Sequence, residues 1–320
     1  MKAISLSKES ILGLIALSVF VLMSLFIPGF FGQNNLNNMM FQLPEFGLLA
    51  LAMMIVIVTG GIDLSITYIA ALSGVAIALM QSHGYPIYIA IIVGILVGVT
   101  CGLLNGVIVS KIGVSPILVT LGTMVLFEGI ILSITKGSSI SGFSESYSLI
   151  GNGFYMGIVP LSIIIFIFFA ILTGVLLTRT KWGRSVYMIG SNPVASLFSG
   201  VNNSRVLMRV YLYAAMLAAI ASIIMTSRYN SAKVDLGSSY LLQSVSAAVL
   251  GGTEIQGGYG KVIGTIYAVV IFQMLSSGLN LMGVPRPIVN VMMGAILILV
   301  LVLNFVKHKI DEKNQKTAVA

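Results

Sequence analysis

LSITYIAALSGVAIALMQSHGYPIYIAIIVGILVGVTCGLLNGVIVS, residues 64–110, contains no Asp, Glu, Lys or Arg. A helix crosses the hydrocarbon layer of a bilayer in about 20 apolar residues. The stretch is therefore long enough to cross twice, over 64–82 and 85–110. Residues 146–178 are likewise free of charge. Only 8% of the chain is charged and 58% is hydrophobic, whereas a soluble domain carries about 25% charged residues. The class is an all-α polytopic membrane protein. The alternating pattern of a membrane β-barrel is absent.

Working outward, ten spans are expected: 10–31, 41–59, 64–82, 85–110, 115–135, 157–178, 207–227, 239–251, 260–282 and 287–306. They form one transmembrane domain over 1–320, with its largest basic loop at 179–209. The apolar run from Ile11 to Ile27 is too long for a signal peptide and lacks a small-residue cleavage site, so it reads as a retained first span. The eighth span is too short to cross about 30 Å as one regular helix. It either borrows residues from the glycine-rich stretch on its C-terminal side or is broken.

With the N-terminus inside, thirteen of the 17 lysines and arginines fall on the cytoplasmic side. Lys136, Arg228, Lys233 and Arg286 fall outside. That is the positive-inside bias, and it explains the net charge of +8 without nucleic acid. An odd number of spans would place one lysine-rich terminus outside. The single cysteine, Cys101, excludes an intrachain disulfide. His83 and His308 are isolated, so no metal site is expected.

The run 94–106, GILVGVTCGLLNG, places glycine at every fourth residue. The resulting stripe of small residues lets another helix approach closely. Between the eighth and ninth spans lies VLGGTEIQGGYGKVIGT, residues 249–265. It resembles a phosphate loop, but position 255 is Ile where a Walker loop needs Gly, and Val262 follows Lys261 where Ser or Thr is required. Nucleotide binding is rejected. Gly251, Gly252, Gly257, Gly258 and Gly260 are expected to form a tight cytoplasmic turn, or an inner gate or ATPase contact. Glu254 and Lys261 are expected at the inner face.

Charges at membrane depth are costly and mark partners or cavities. Asp63, in TGGIDLSI, suits a helix cap or a place on a translocation path. Glu128, within LGTMVLFEGIIL, suits packing, an interface or a path. The sparse polar inventory of the spans supplies Asp63, Ser65, Asn105, Thr120, Thr123, Gln243, Ser244 and Asn280 as candidate path residues. No nucleophile, base or zinc motif points to an enzyme.

In the basic loop, SNPVASLFSG carries helix punctuation. Ser191 or Asn192 caps, Pro193 suits the first turn and Gly200 ends the helix. Val194, Leu197, Phe198 and Val201 recur at i, i+3, i+4 and i+7, which describes a short amphipathic helix. Such a helix lies on lipid, packs on the protein's own spans, or docks into a partner.

GGIDLS (60–65), GRSVYMIGSNPVASLFSGV (183–201), AAVLGGTEIQGGYGKVIGT (247–265) and SSGLNLMGV (276–284) together resemble the permease subunits of bacterial ABC importers for monosaccharides. That family includes the autoinducer-2 permeases. The resemblance implies a vitamin-B12-importer-like fold and a second permease, the same or different. It also implies cytosolic ABC ATPase subunits, which alone use ATP, and a periplasmic or lipid-anchored sugar-binding protein. It makes the 191–200 helix the one that couples to the ATPase, with Gly190, Asn192, Pro193, Ala195, Phe198, Ser199 and Gly200 as its residues. The chain departs from the family at Ile66-Thr67, where Val-Gly is common, and at Pro193, where an acid is common. The stretch around Asp235-Leu236-Gly237 leans toward the autoinducer-2 type. The expected function is the membrane pathway of an ATP-driven importer of a ribose-like sugar, related polyol or autoinducer-2, in the bacterial cytoplasmic membrane. The rival is an ion-gradient-driven secondary transporter using Asp63 or Glu128.

Overall fold

A computed structural model describes residues 8–285, 287–296, 298, 299 and 302. Arg286, the lysines at positions 2 and 307–316, and the expected end of the tenth span at 306 lie outside the described residues. The elements in chain order are α1 (Lys8–Phe26), α2 (Gln33–Val58), α3 (Ile66–Ser82), α4 (Ile87–Val107), α5 (Pro116–Thr135), α6 (Glu145–Asn152), α7 (Leu161–Arg179), α8 (Lys181–Ser191), α9 (Pro193–Phe198), α10 (Asn203–Tyr229), α11 (Tyr240–Leu250) and α12 (Val262–Leu281). A last apolar helix, α13, covers Pro287–Ile296. Among the described residues seven helices are long and apolar enough to cross a membrane, and α3, α11 and α13 are shorter apolar helices.

α2 is the axis of the bundle. Every residue from Pro44 to Val58 is buried, and the helix packs against α7, α10, α11 and α12. Lipid cannot compete for a helix enclosed on all sides, so its apolar residues run all around instead of forming a stripe. α1 by contrast exposes most of its surface and packs chiefly on α12. The glycine stripe of α4 meets α3 and α10: a side chain at Gly98 would touch Ser73 and Ala219, and one at Gly106 would touch Met208. Gly102 faces Ala215 and the Tyr211 carbonyl oxygen. Gly102→Val is therefore expected to cost about 1–3 kcal/mol by overpacking, read as a lower melting temperature of the purified protein. An unchanged melting temperature would refute the close approach.

Four expectations need correction. The first span ends at Phe26, and the second begins at Gln33 instead of 41. Asn34, Asn35, Asn37 and Asn38 read as loop, yet they form helix. The sixth span begins at Leu161, after a hairpin that pairs Phe154–Tyr155 with Val159–Pro160. The outer segment before it is not plain loop: α6 packs on α10, and Ile140–Ser141 pairs antiparallel with Ser231–Ala232. The basic loop holds two helices, α8 and α9, where one was expected.

α11 has 11 residues, a rise of about 16 Å, or roughly half the bilayer core. The segment that precedes it makes up the rest. Leu236 reaches the mid-helix Gly74 of α3, and Gly237 abuts Met225. The irregular segment between α10 and α11 is anchored by the buried Ala232 and Leu236, while Lys233, Asp235 and Ser238 are exposed.

Candidate functional site

At the cytoplasmic end, three separate chain segments meet through glycine. Gly258 N–H donates to the Val58 carbonyl oxygen at 2.8 Å, tying the 251–261 turn to the end of α2. Gly190, in the last turn of α8, lies directly on Val58 O and Gly258 N. Gly257 has φ +89°, and a side chain there would stand 2.6 Å from Gly60 N. Tyr187 Oη donates to the Gly260 carbonyl oxygen at 2.7 Å. Positive φ is open to glycine at little steric cost, and backbone-on-backbone contact leaves no room for Cβ. Lys261 pairs with Glu9 at 2.8 Å, and that carboxylate holds the ammonium above its ordinary range. Glu254 is exposed beside the turn.

The α8–α9 hairpin is built by caps. Thr180 Oγ1 accepts from Gly183 N at 3.0 Å. Asn192 Oδ1 accepts from Val194 N at 3.0 Å and Ala195 N at 2.9 Å, satisfying two orphan amides of α9. Pro193 takes the first turn, and Gly200 has φ +80° after the last. Behind α9, Ser196 Oγ donates to Asn203 Oδ1 at 2.9 Å and Asn203 Nδ2 donates to the Pro193 carbonyl at 2.8 Å. The front face is apolar and open: Phe198 is 87% exposed, with Val194 and Leu197 beside it. Ala195 and Ser199 complete the exposed helix. Of the three placements open from sequence, packing on the protein's own spans is excluded for these three side chains.

Asp63, Ser65, Asn105 and Thr120 share one cluster just above this junction. Asp63 Oδ1 accepts from Ser65 N at 2.9 Å and from Ser65 Oγ at 2.6 Å. Asn105 Nδ2 donates to Ser65 Oγ at 2.8 Å, and Thr120 Oγ1 donates to the Ile62 carbonyl at 3.0 Å. All four are fully buried. Their bonds join the start of α3 to α4 and α5, and Asp63 bonds Ser65, the residue that precedes α3, and no amide of its first turn. Thr123 is buried with its hydroxyl on Thr120 O, and Ser244 bonds Leu241 O. Glu128 interacts with Tyr68 of α3, a partner that sequence distance hides.

On the opposite, outer end is a cavity of about 440 Å³ between α2 and α12. Asn35, Asn38 and Gln42 line it from α2, and Gln273, Ser277 and Asn280 from α12. Ser277 Oγ donates to Asn35 Oδ1 at 2.6 Å, and Gln273 Nε2 donates to Gln42 Oε1 at 3.1 Å. Asn280 is thus placed in an open cavity, and Gln243 lines a smaller space that shares Gln42, Gln273, Ser276 and Val289 with it.

Sequence reasoning missed Glu45. It is fully buried in α2 and paired with Arg228 of α10 at 3.1 Å. It also accepts from Tyr229 Oη at 2.9 Å and Tyr240 Oη at 3.3 Å. An acid inside the expected second span was the available signal.

The family model described as "Branched-chain amino acid transport system / permease component" matches residues 35–301. The chain belongs to this family. The ribose import permease protein RbsC of Bacillus subtilis (strain 168) is 39% identical to this permease over 92% of this chain and 91% of its own length. The autoinducer 2 import system permease protein LsrD is 35% identical in Yersinia enterocolitica over 90% of this chain and 92% of its own length, and 35% identical in Escherichia coli (strain K12) over 84% of each. No solved structure matches this permease. It is a multi-pass protein of the bacterial cytoplasmic membrane, and membership among import permeases disfavours the ion-driven rival.

Proposed function

We propose that this permease forms the membrane pathway for a ribose-like sugar, a related polyol or autoinducer-2. In this scheme it works with a second permease, a cytosolic ATPase pair and an extracytoplasmic binding protein. The observation that carries the coupling is the exposed Val194–Leu197–Phe198 face on a capped helix, braced from behind by Asn203. A contiguous exposed apolar face, with Phe198 87% exposed beside Val194 and Leu197, is costly in water and gains from a partner pocket. The nearby glycine junction ties α9 and α8 rigidly to α2, so a push on the loop reaches the central helix. Asn280 and Gln243 keep their role as path residues. Asp63, Ser65, Asn105 and Thr120 brace the inner ends of α3, α4 and α5. Binding of ATP acts only through its differential affinity for two global states.

Phe198→Asp is expected to abolish co-purification of the ATPase and ATP-dependent D-ribose uptake in reconstituted vesicles, while the permease stays in the membrane at wild-type level. Gly200→Pro, which removes the Gly200 N–H bond to Leu197 O and the φ it needs, acts the same way. Uptake driven by the lone chain and an ion gradient would overturn the proposal.

A further inference from the structure

The outer cavity has a polarity that points to its occupant. Among the described residues that line it, none is Asp, Glu, Lys or Arg. Its polar groups are instead mostly primary amides at helical spacing: Asn35, Asn38 and Gln42 on one face of α2, Gln273, Ser277 and Asn280 on one face of α12. A carboxamide offers a donor and an acceptor together, and a hydroxyl is likewise both. Amide walls therefore match a neutral polyhydroxyl solute. A zwitterion such as a free amino acid would lose hydration at both charges and meet no counter-charge among the described lining residues. The cross-links Ser277–Asn35 and Gln273–Gln42 hold the two walls at fixed separation, and each glutamine retains half of its amide for a further partner.

The base of the cavity is different. Phe46, one turn below Gln42, stacks on Tyr240 with centroids 5.6 Å apart and meets Phe272 edge-on at 6.3 Å. All three rings are buried. The space among them, shared with Gln243, is about 10 Å³, room for about one water and far too small for a sugar. Tyr240 stands in the first turn of the short helix α11, and its hydroxyl is held by Glu45.

We infer that the amide-lined cavity between α2 and α12 is the outward vestibule for a neutral polyhydroxyl solute, and that Phe46, Tyr240 and Phe272 form the gate that closes its base. The direction of solute flow is taken from the import proposal above. The three rings, with Gln42, Gln243 and Gln273 beside them, narrow the space to about one water, which closes the path to a solute by size.

The test uses thiol accessibility, because replacing the single buried Cys101 by Ser leaves a chain with no thiol. Single cysteines are placed at the mouth, Asn38→Cys, and in the narrow space among the gate rings, Gln243→Cys, in right-side-out vesicles. The cationic, membrane-impermeant thiol reagent MTSET is added outside. Asn38→Cys is expected to react quickly and Gln243→Cys slower by a factor on the order of tenfold or more. Adding Phe46→Ala with Phe272→Ala brings the Gln243→Cys rate close to that of Asn38→Cys. The Asn38→Cys rate in the same gate background reports an intact vestibule. Xylitol is expected to slow reaction at Asn38→Cys, and L-leucine is not. Equal rates at the two positions with the gate intact, an unopened Gln243→Cys in an otherwise intact gate variant, or protection by leucine equal to that by xylitol would each overturn the inference. Accessibility needs neither ATP nor partners, so lost ATP-driven uptake condemns the import proposal alone, and uniform thiol reactivity condemns the vestibule and gate alone.

Discussion

Gly190→Val is expected to lower ATP-dependent uptake by at least an order of magnitude while leaving the protein in the membrane. The reason is geometric. Gly190 rests on the Val58 carbonyl oxygen and the Gly258 amide, and these two groups are bonded to each other at 2.8 Å. A side chain cannot rotate away from main chain on both sides, so either α8 lifts off or the bond between the turn and α2 breaks. The cost is about 3 kcal/mol or more, at the top of the range for overpacking. Gly257→Val acts on the same junction from the other side. It combines contact at 2.6 Å with Gly60 N and a φ of +89°, which a β-branched residue adopts only under strain. Insertion depends on the apolar spans themselves, so membrane levels of both variants stay near wild type. The measurement is uptake beside ATPase co-purification. Normal uptake by either variant would refute a rigid junction.

That junction was only half legible in the sequence. The broken Walker pattern and the six glycines of 249–265 identified a tight turn, because positive φ and close approach are local demands that select Gly. Its contact with Gly60 and Gly190 was not legible, since the three segments are far apart in the chain and no local rule pairs them. The amphipathic helix over 193–198 was readable residue by residue, through Asn192, Pro193 and Gly200. The asparagines at 34, 35, 37 and 38 misled for a physical reason: low hydropathy reads as loop, yet Asn34, Asn35 and Asn38 line a water-accessible cavity and Asn37 accepts from Gln33 within the helix. Hydropathy averages over all faces of a helix and cannot see which face is wet. Glu45 escaped notice because one acid barely lowers the mean of an apolar span, and Arg228 falls just past the expected end of its own span, on the outer side. Only the fold brings the two to 3.1 Å.

Glu45→Ala is expected to destabilise the bundle by about 3–5 kcal/mol, the range for removing one partner of a buried pair. The carboxylate is fully buried, and three side chains from two other helices converge on it: Arg228 and Tyr229 from α10, Tyr240 from α11. Removing it leaves the partly buried Arg228 guanidinium without its counter-charge at the outer end of α10. It also strips the buried Tyr240 of an acceptor, while the exposed Tyr229 can turn to water. Glu45→Gln keeps the shape and an acceptor oxygen but loses the charge, so it falls between Ala and wild type. The double variant Glu45→Leu Arg228→Met removes both charges at similar volume. It is expected to recover much of the lost stability, since a buried ion pair often contributes little beyond a well-packed apolar replacement. The thiol rate separates positioning from stability. If Glu45 also fixes Tyr240 at the base of the outer cavity, the double variant melts near wild type yet exposes Gln243→Cys to MTSET faster than the parent does. Thermal unfolding in detergent gives the first quantity and the thiol rate the second. A double variant no more stable than Glu45→Ala would show that the pair does more than cancel its own charge. One with a wild-type thiol rate would show that Tyr240 keeps its place without the Glu45 bond, with its stacking on Phe46 still present.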